Sequence, residues 1–311
     1  MPRIIFMGTP EFAVPVLDAL TQTNHQIVGV YTRPDKPAGR GNKLHTSPIK
    51  RLAESRDLPI FQPPTLRKPD VIAELRDLAP DMIIVAAFGL ILPPDLLSIP
   101  PHGSRCVNTH ASLLPKYRGA APISAAILAG DSETGITLMQ MEAGLDTGPI
   151  LAQCAVPIAD DDTTATLTSK LASHAAALLI ENLPRLLAGE ITPQPQDTAR
   201  ATIVKTIRKE EGLIDWTRSA SDISRRVRAF NPWPSAYTFW NGIPLKILNA
   251  HPSDQAIVAE PGQVIAWGKE IGVATGDGLL ILHEIQLAGK RAMKIEEFVR
   301  GQKEFIGGKV G

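Results

Sequence analysis

The sequence has little cysteine and no long hydrophobic run, and these two absences exclude several classes of protein. Cys106 and Cys154 are the two cysteines among 311 residues, and neither lies in a CxxC motif or at the spacing of a zinc site. So low a cysteine content is typical of a reducing compartment. No apolar stretch reaches the length of about 18 residues that a membrane-spanning helix requires, so we expect no association with a membrane.

The N-terminus and the overall charge give no sign of a special location or partner. The opening MPRIIFMG is interrupted too soon by Gly8 and Pro10 to be a signal peptide, and we expect a cytoplasmic protein. Lysine plus arginine and aspartate plus glutamate each total 32, so the net charge does not indicate a polyanionic partner. Evidence for such a partner must come from local clusters of charge.

Apolar runs alternate with helical patterns in the first part of the chain. The apolar runs, which predict buried strands, lie at residues 3–8, 27–31, 82–87 and 106–109. The helical patterns between them include residues 12–20, 48–56 and 71–78. This alternation predicts the α/β class, with a Rossmann-like open parallel-type sheet and helices on both faces. The turn GTPEFA at residues 8–13 departs from G-x-G-x-x-G at its second glycine, so we do not expect NAD binding.

The character of the sequence changes after a long helical pattern at residues 167–187. Residues 191–201, ITPQPQDTARA, contain two prolines and few apolar residues, which is typical of a linker. Short apolar runs then alternate with turn signals such as Asn241-Gly242, and this pattern predicts a small OB-like β-barrel. We therefore predict an N-terminal domain over residues 1–189, a linker over 190–206 and the barrel over 207–311.

Two polar side chains, Asn108 and His110, lie near the end of the fourth predicted strand. Side chains alternate along a strand, so both share a face with Cys106, and ligands of open α/β sheets bind beyond the carboxyl ends of the strands. An amide beside an imidazole can donate hydrogen bonds to an oxyanion that forms on a carbonyl carbon. So short a pattern leaves other interpretations open. Asn108 could cap the strand and His110 could be a structural residue of the core. Cys106 could be a nucleophile.

A candidate carboxylate, Asp146, lies in the segment MEAGLDTGP at residues 141–149. Gly144 and Gly148 enclose it, which predicts a tight turn. A carboxylate held in such a turn can orient a histidine and stabilise the charged form of its ring. An ordinary turn aspartate is the alternative interpretation.

Residues 32–51, TRPDKPAGRGNKLHTSPIKR, form a basic segment that proline and glycine interrupt. The segment holds six basic residues against a single acid, Asp35, and is too polar for a core. A flexible loop of this length is usually functional or disordered, and contact with phosphate is the natural role for Arg40 and Lys43. A solvated surface loop is the alternative interpretation.

Together these segments resemble the methionyl-tRNA formyltransferase family, whose members use N10-formyltetrahydrofolate. The resemblance covers nearly the whole chain, in FMGTPEFAVP (6–15), RPDKPAGRGNK (33–43), FGLILP (88–93), NTHASLLPKYRGAAP (108–122), MEAGLDTGP (141–149), EGLIDW (211–216) and NPWP (231–234). Glycinamide ribonucleotide and sugar-amine formyltransferases share the NxHxSLLPxYRG stretch, so it points to the chemistry and not to the acceptor.

The resemblance implies a formyltransferase fold with a catalytic domain at 1–189 and a tRNA-binding barrel at 207–311. It implies that Asn108, His110 and Asp146 are catalytic and that no metal is needed. The folate site would be formed by Phe88, Gly89, Leu90, Ile91, Leu92, Ser112, Leu113, Leu114, Pro115, Met141, Glu142, Gly144 and Leu145. The tRNA would be bound by Arg33, Lys36, Arg40, Lys43, Lys205 and Arg208.

The implied reaction moves the formyl group of 10-formyltetrahydrofolate to the methionine amino group of initiator methionyl-tRNA, and the enzyme would be a monomer. Three alternatives stay open. One is a folate-dependent formyltransferase that acts on a sugar amine or other small amine, and residues 205–311, with 15 basic and 12 acidic residues, argue only weakly against it. The others are a nucleic-acid-binding module with a degenerate enzyme domain and a hydrolase with Cys106 as nucleophile.

Overall fold

The computed structural model describes residues 1–38, 43–101, 105–253, 255 and 257–311. These residues form two compact units. Unit 1 comprises Met1–Pro122, Glu133–Pro157 and Thr168–Val204, and unit 2 comprises Ile123–Ser132, Ile158–Leu167 and Lys205–Gly311. Two short segments that precede residue 168 thus belong to unit 2. The boundaries at residues 189 and 206 stay a prediction.

Helices and strands alternate through most of the described chain. The strands are β1 (Arg3–Gly8), β2 (Gln26–Tyr31), β3 (Lys36–Ala38), β4 (Lys43–His45), β5 (Ile60–Phe61), β6 (Met82–Ala86), β7 (Cys106–His110), β8 (Arg118–Gly119), β9 (Glu133–Gln140), β10 (Ile150–Pro157), β11 (Ile203–Val204), β12 (Ala236–Trp240), β13 (Ile243–Ser253), β14 (Val264–Trp267), β15 (Glu270–Ala274), β16 (Leu279–Leu287) and β17 (Met293–Lys294). The α-helices are α1 (Val14–Thr21), α2 (Pro48–Ser55), α3 (Pro69–Asp77), α4 (Pro94–Leu97), α5 (Pro122–Ala129), α6 (Thr164–Ala188), α7 (Ala220–Ala229) and α8 (Ile295–Gly301).

Unit 1 contains a seven-stranded sheet in the order β10-β9-β7-β6-β1-β2-β5. The five strands β7, β6, β1, β2 and β5 are parallel to one another, whereas β9 and β10 add an antiparallel edge. The prediction of an open, mainly parallel α/β sheet is therefore confirmed. Strands β1 and β6 are buried along nearly their whole length, which explains why they form unbroken apolar runs in the sequence.

The carboxyl ends of the parallel strands meet at one edge of this sheet, and Thr9 joins the loops that follow them. Its hydroxyl donates to the carbonyl oxygen of Phe88, after β6, at 3.0 Å. The same hydroxyl accepts from the backbone nitrogen of Arg33, after β2, at 3.4 Å. The loops beyond β1, β2 and β6 are thus tied to one another, at the edge where open sheets bind their ligands.

Gly8, the last residue of β1, is required by close packing. A Cβ atom at this position would lie 2.7 Å from the Phe6 ring and 2.8 Å from the Cβ of Ala13. It would also lie 3.0 Å from the carbonyl oxygen of Ala86, on the neighbouring strand β6. Phe6 and Ala13 are fully buried, so neither can move aside cheaply.

Unit 2 is built on an antiparallel sheet with the strand order β12-β13-β16-β15-β14, and β17 pairs with β16. The sheet is consistent with the small barrel-like domain that the sequence predicts. Asn241 and Gly242 both have positive φ, 49° and 73°, in the turn between β12 and β13, as an Asn-Gly hairpin requires. Trp240, Phe298 and Phe305 pack edge to face in its core. Among the described helices, none is long and apolar enough to cross a membrane.

The segment whose composition is typical of a linker is hydrogen-bonded into unit 1. Gln194 exchanges two backbone hydrogen bonds with Ile150, at 2.8 and 2.9 Å. Further along, β11 pairs in parallel with β8. A Cβ on Gly119 would lie 2.2 Å from the carbonyl oxygen of Val204, so the two strands lie in direct contact.

The packing around Gly8 gives a stability prediction. Gly8→Ala should lower the free energy of unfolding by about 1–3 kcal/mol, because the added methyl group overpacks a closed site. Gly301→Ala is the matched control, since nothing lies within 4 Å of a Cβ at that position in α8. Urea denaturation of both variants measures the difference. Equal stability of the two variants would show that Gly8 is not needed for packing.

Candidate active site

Asn108 and His110 lie on β7, between β6 and the antiparallel strand β9. Asn108 is opposite Val85 on one side and Met139 on the other, and His110 is opposite Thr137. The His110 side chain is 6% exposed, whereas Asn108 is half-buried. Both side chains therefore stand at the carboxyl end of the parallel sheet, where the sequence predicts them.

The two ring nitrogens of His110 face different groups. Nε2 lies 3.0 Å from the carbonyl oxygen of Tyr117. Since a carbonyl oxygen only accepts, Nε2 carries the hydrogen of this bond. Nδ1 lies 3.7 Å from Oδ2 of Asp146. A second proton on the ring would therefore be placed on Nδ1, beside the carboxylate, and would form an ion pair with it.

Asp146 is held in place by its own backbone conformation and by Gly119. Its φ is 50°, in the left-handed region, and Oδ2 accepts a hydrogen bond from the Gly119 nitrogen at 2.8 Å. Two other residues near the candidate site, Ala87 and Tyr117, also have positive φ, 47° and 59°. Such conformations cost about 1–3 kcal/mol each and are enriched at functional sites, since the surrounding structure must enforce them.

Buried and partly buried hydrogen bonds fix the loop that follows β7. The Thr137 hydroxyl donates to the carbonyl oxygen of Ser112 at 2.6 Å and accepts from the Leu114 nitrogen at 3.1 Å. The Gln153 amide donates to that same hydroxyl and to the Leu114 carbonyl, at 2.8 and 3.0 Å. The Ser112 hydroxyl donates to the Lys116 carbonyl at 2.6 Å. The sequence did not indicate Thr137 or Gln153, which lie on strands β9 and β10 that it did not predict either.

The residues expected to bind folate divide into buried and exposed positions. Phe88, Leu92, Ser112 and Leu114 are buried. Met141 packs against the core cluster that holds Phe88 and Leu92, and Leu90 does the same. Ile91 and Leu145 are 74% and 59% exposed. Gly89, Leu113, Pro115, Glu142 and Gly144 are at least partly exposed. The assignment of these residues to folate stays a prediction.

The residues expected to bind tRNA lie in both units. Arg33 and Lys36 belong to unit 1, and Lys36 begins a hairpin in which β3 pairs with β4. Arg40 lies outside the described residues, and of Lys43 only the backbone, in β4, is described. Lys205 and Arg208 belong to unit 2 and are exposed. Their role in tRNA binding stays a prediction.

Some of the basic side chains in residues 32–51 already have acidic partners. Lys50 pairs with Asp35 at 2.6 Å, and this ammonium, together with the Gln62 amide, holds the pKa of the Asp35 carboxyl below its usual value. Arg51 lies 3.4 Å from Glu11. Within the described part of the chain, Arg33 and Lys36 form no ion pair, so their charges remain available to an anionic ligand.

The described residues offer little to thiol or metal chemistry. Cys106 is 2% exposed, and burial raises the pKa of its thiol to about 12, so its nucleophilic thiolate is disfavoured at neutral pH. Burial also raises the pKa of Cys154, which is partly exposed. Among the described residues, no three His, Cys, Asp or Glu side chains are grouped as a metal ion would require.

The burial of Cys106 gives a prediction about reactivity. Iodoacetamide at pH 8 should modify Cys154 well before Cys106, because thiolate character and access both favour Cys154. Mass spectrometry after timed quenching measures the two rates. Cys106→Ala should keep the enzymatic rate, and Cys154→Ala is the matched control. Fast modification of Cys106 with parallel loss of activity would restore the cysteine-nucleophile interpretation.

Comparison with known proteins identifies the family to which this chain belongs. Residues 2–183 match the family described as formyl transferase, and residues 206–303 match the family described as formyl transferase, C-terminal domain. A methionyl-tRNA formyltransferase of Methylococcus capsulatus is 50% identical over 297 residues, which cover 96% of each chain. Another methionyl-tRNA formyltransferase, from Roseiflexus castenholzii, is 48% identical over 311 residues, which cover 99% of each chain.

A solved structure supports the same fold at a greater distance. WlaRD, a sugar 3N-formyl transferase crystallised in the presence of dTDP and 5-N-formyl-THF, superposes with a TM-score of 0.69 at 20% identity. The superposition covers 94% of this chain and 99% of that one. So low an identity supports the fold alone, whereas the relatives near 50% identity match over almost their whole length. The chain therefore belongs to the methionyl-tRNA formyltransferase family.

Proposed function

We propose that this protein transfers the formyl group of 10-formyltetrahydrofolate to the methionine amino group of initiator methionyl-tRNA. The observation that carries the proposal is the His110–Asp146 pair beside Asn108, at the carboxyl end of the sheet. This arrangement occurs in a chain that is 50% identical to a methionyl-tRNA formyltransferase over 96% of its length. The monomeric state that we expect stays a prediction.

The surface around the pair fits a folate co-substrate. Leu145, the neighbour of Asp146 in the chain, and Ile91, in the loop that follows β6, expose apolar side chains, and a flat heterocycle would remove such apolar surface from water. Backbone groups of the segments 88–92 and 141–145 would supply the hydrogen bonds that a pterin ring requires, since Gly89 and residues 142–145 are exposed. When bound, 10-formyltetrahydrofolate supplies the formyl group.

Asn108 and His110 have the chemistry to stabilise negative charge on the formyl oxygen. The Asn108 amide can donate a hydrogen bond, and none of the described residues hydrogen-bonds to this amide in the structure. In His110, Nε2 is committed to the Tyr117 carbonyl, so only a second ring proton, on Nδ1, could be donated to the formyl oxygen. The Asp146 carboxylate, 3.7 Å from Nδ1, would support the charge of that doubly protonated ring. Donors fixed before the reaction stabilise developing charge without the cost of reorganisation.

Asp146 would support the charge on His110 and move the proton of the amine. The deprotonated methionine amine attacks the formyl carbon, so a C–N bond forms to the amine while the bond to folate N10 breaks. The amine thereby loses a proton, which must end on N10. Asp146, whose carboxylate is 15% exposed and 3.7 Å from His110 Nδ1, is placed to relay this proton through water.

The oxyanion roles lead to a prediction about catalysis. His110→Ala and Asn108→Ala should each lower kcat for formylation of charged initiator tRNA by roughly 10²–10³, the effect of losing one oxyanion donor. His174→Ala and Asn24→Ala are matched controls, because both side chains are exposed and distant in sequence from β7. Circular dichroism checks that each variant folds. Near wild-type rates in either site variant would remove that residue from the mechanism.

The basic segment leads to a prediction about tRNA. If Arg40 and Lys43 contact phosphates, Arg40→Ala and Lys43→Ala should each lower kcat/KM for charged tRNA and flatten its salt dependence by about one unit of slope. Folate affinity should not change. Lys68→Ala is the control, since Lys68 is exposed and lies outside the basic segment. A salt series on the three variants measures the slopes, and slopes equal to the wild type would place the segment outside the tRNA interface.

A further inference from the structure

Gln196 connects separate parts of the site from within residues 190–206. Its amide nitrogen donates to the carbonyl oxygens of Asp146 and Gly148, at 2.8 and 2.7 Å. Its amide oxygen accepts from Nε and Nη2 of Arg118, at 3.0 and 2.8 Å. A glutamine side chain has two hydrogens to donate and one oxygen to accept, so all of its capacity is directed at the site.

Arg118 extends the effect of Gln196 to the residue that holds the Asp146 carboxylate. The Arg118 side chain is buried, at 6% exposure, so its guanidinium depends on a close acceptor. The next residue, Gly119, donates its backbone hydrogen to Oδ2 of Asp146 at 2.8 Å. Gln196 therefore fixes Asp146 in two ways. It binds the backbone carbonyl oxygen of Asp146 directly, and it holds Arg118 in strand β8, whose next residue, Gly119, bonds to the Asp146 carboxylate.

The same part of the chain also holds the group that fixes His110. The Thr202 hydroxyl accepts from the Tyr117 nitrogen at 2.7 Å, and the Tyr117 carbonyl accepts from His110 Nε2. The Thr202 carbonyl accepts from the Arg118 nitrogen at 2.8 Å. Residues 142–145, on the N-terminal side of Asp146, are exposed, so the Gln196 bonds to Asp146 and Gly148 hold this turn from its C-terminal side.

We propose that Gln196 is a positioning residue for formyl transfer, which holds the Asp146 carboxylate at its working distance from His110. The inference rests on the proposed function, because it assigns Gln196 a part in that reaction. Gln196 acts through Asp146 and the strand at Arg118, and not on the reacting atoms. Outer residues that orient a reacting group typically contribute about 10–100-fold to activity.

Two substitutions separate the contacts of Gln196. Gln196→Met keeps the length of the side chain and removes every hydrogen bond. Gln196→Glu keeps an acceptor for Arg118 but has no hydrogens for the Asp146 and Gly148 carbonyl oxygens, and it turns a carboxylate oxygen toward them. Gln194→Ala is the control, since the side chain of Gln194 is exposed and its bridge to Ile150 is formed by the backbone.

Both substitutions should lower kcat about 10–100-fold, with little change in KM for charged tRNA or folate, because a misplaced Asp146 affects the transition state more than binding. Gln194→Ala should match the wild type. Gln196→Glu at wild-type kcat would overturn the proposal, since it would mean that the Arg118 contact alone matters. A rise in KM without loss of kcat would also overturn it, because it would make Gln196 a binding residue.

A double-mutant cycle with Asp146→Asn tests whether Gln196 acts through the carboxylate. If it does, Gln196→Met should cost far less in the Asp146→Asn background than in the wild type. Equal cost in both backgrounds, as expected of a merely structural role, would overturn the proposal. A wild type that does not formylate charged initiator tRNA would instead defeat the proposed function. If the wild type formylates the initiator tRNA and the Gln196 variants do so at the same rate, the positioning role fails while the proposed function stands.

Discussion

The carboxylate of Asp146 has to be held beside the imidazole of His110, which is almost fully buried. The loop that follows β7 and the turn that contains Asp146 must therefore keep fixed positions. His110 is fixed by strand β7 and by the Tyr117 carbonyl, whereas Asp146 lies in a turn whose neighbours are exposed. The two groups are 3.7 Å apart. Charges interact more strongly where water is excluded, so a small displacement of either group changes their interaction more than it would at the surface.

Hydrogen bonds between distant segments, rather than apolar contacts, meet this requirement. Thr137 and Gln153 hold the loop after β7 from the antiparallel edge of the sheet, and Gln196 and Thr202 hold it at Arg118 and Tyr117. Each such bond adds about 1 kcal/mol net, but leaving its buried partner unsatisfied costs about 1–3 kcal/mol. The network therefore has little tolerance for partial loss, which suits a site that must keep one geometry.

Four of the five parallel strands could be predicted from the sequence, and the candidate site residues could be proposed from it, because both depend on local patterns. Strands β1 and β6 are buried on both faces and form unbroken apolar runs, and Asn108, His110 and Asp146 lie in compact motifs. Strand β10 escaped prediction because Val156 is the one buried residue among its eight, so it forms no run of buried apolar side chains.

Gln196 could not be predicted to matter because its role depends on residues far away in the chain. It is separated by 50 positions from Asp146 and by 78 from Arg118, and nothing in ITPQPQDTARA distinguishes it from a residue of a solvated linker. Helix α7 was missed because its apolar content is low. Ile223 and Val227 are the two large apolar side chains among its ten residues, and both pack in the core of unit 2.

The identity of the acceptor tests the account most directly. The wild-type protein would be given 10-formyltetrahydrofolate labelled in its formyl group together with charged initiator tRNA, charged elongator tRNA or a sugar amine, each in a separate reaction. The label should pass to the methionine amino group of the initiator tRNA at a rate far above that for the other two acceptors. Transfer to the sugar amine at an equal or greater rate, or no transfer to the initiator tRNA, would contradict the account.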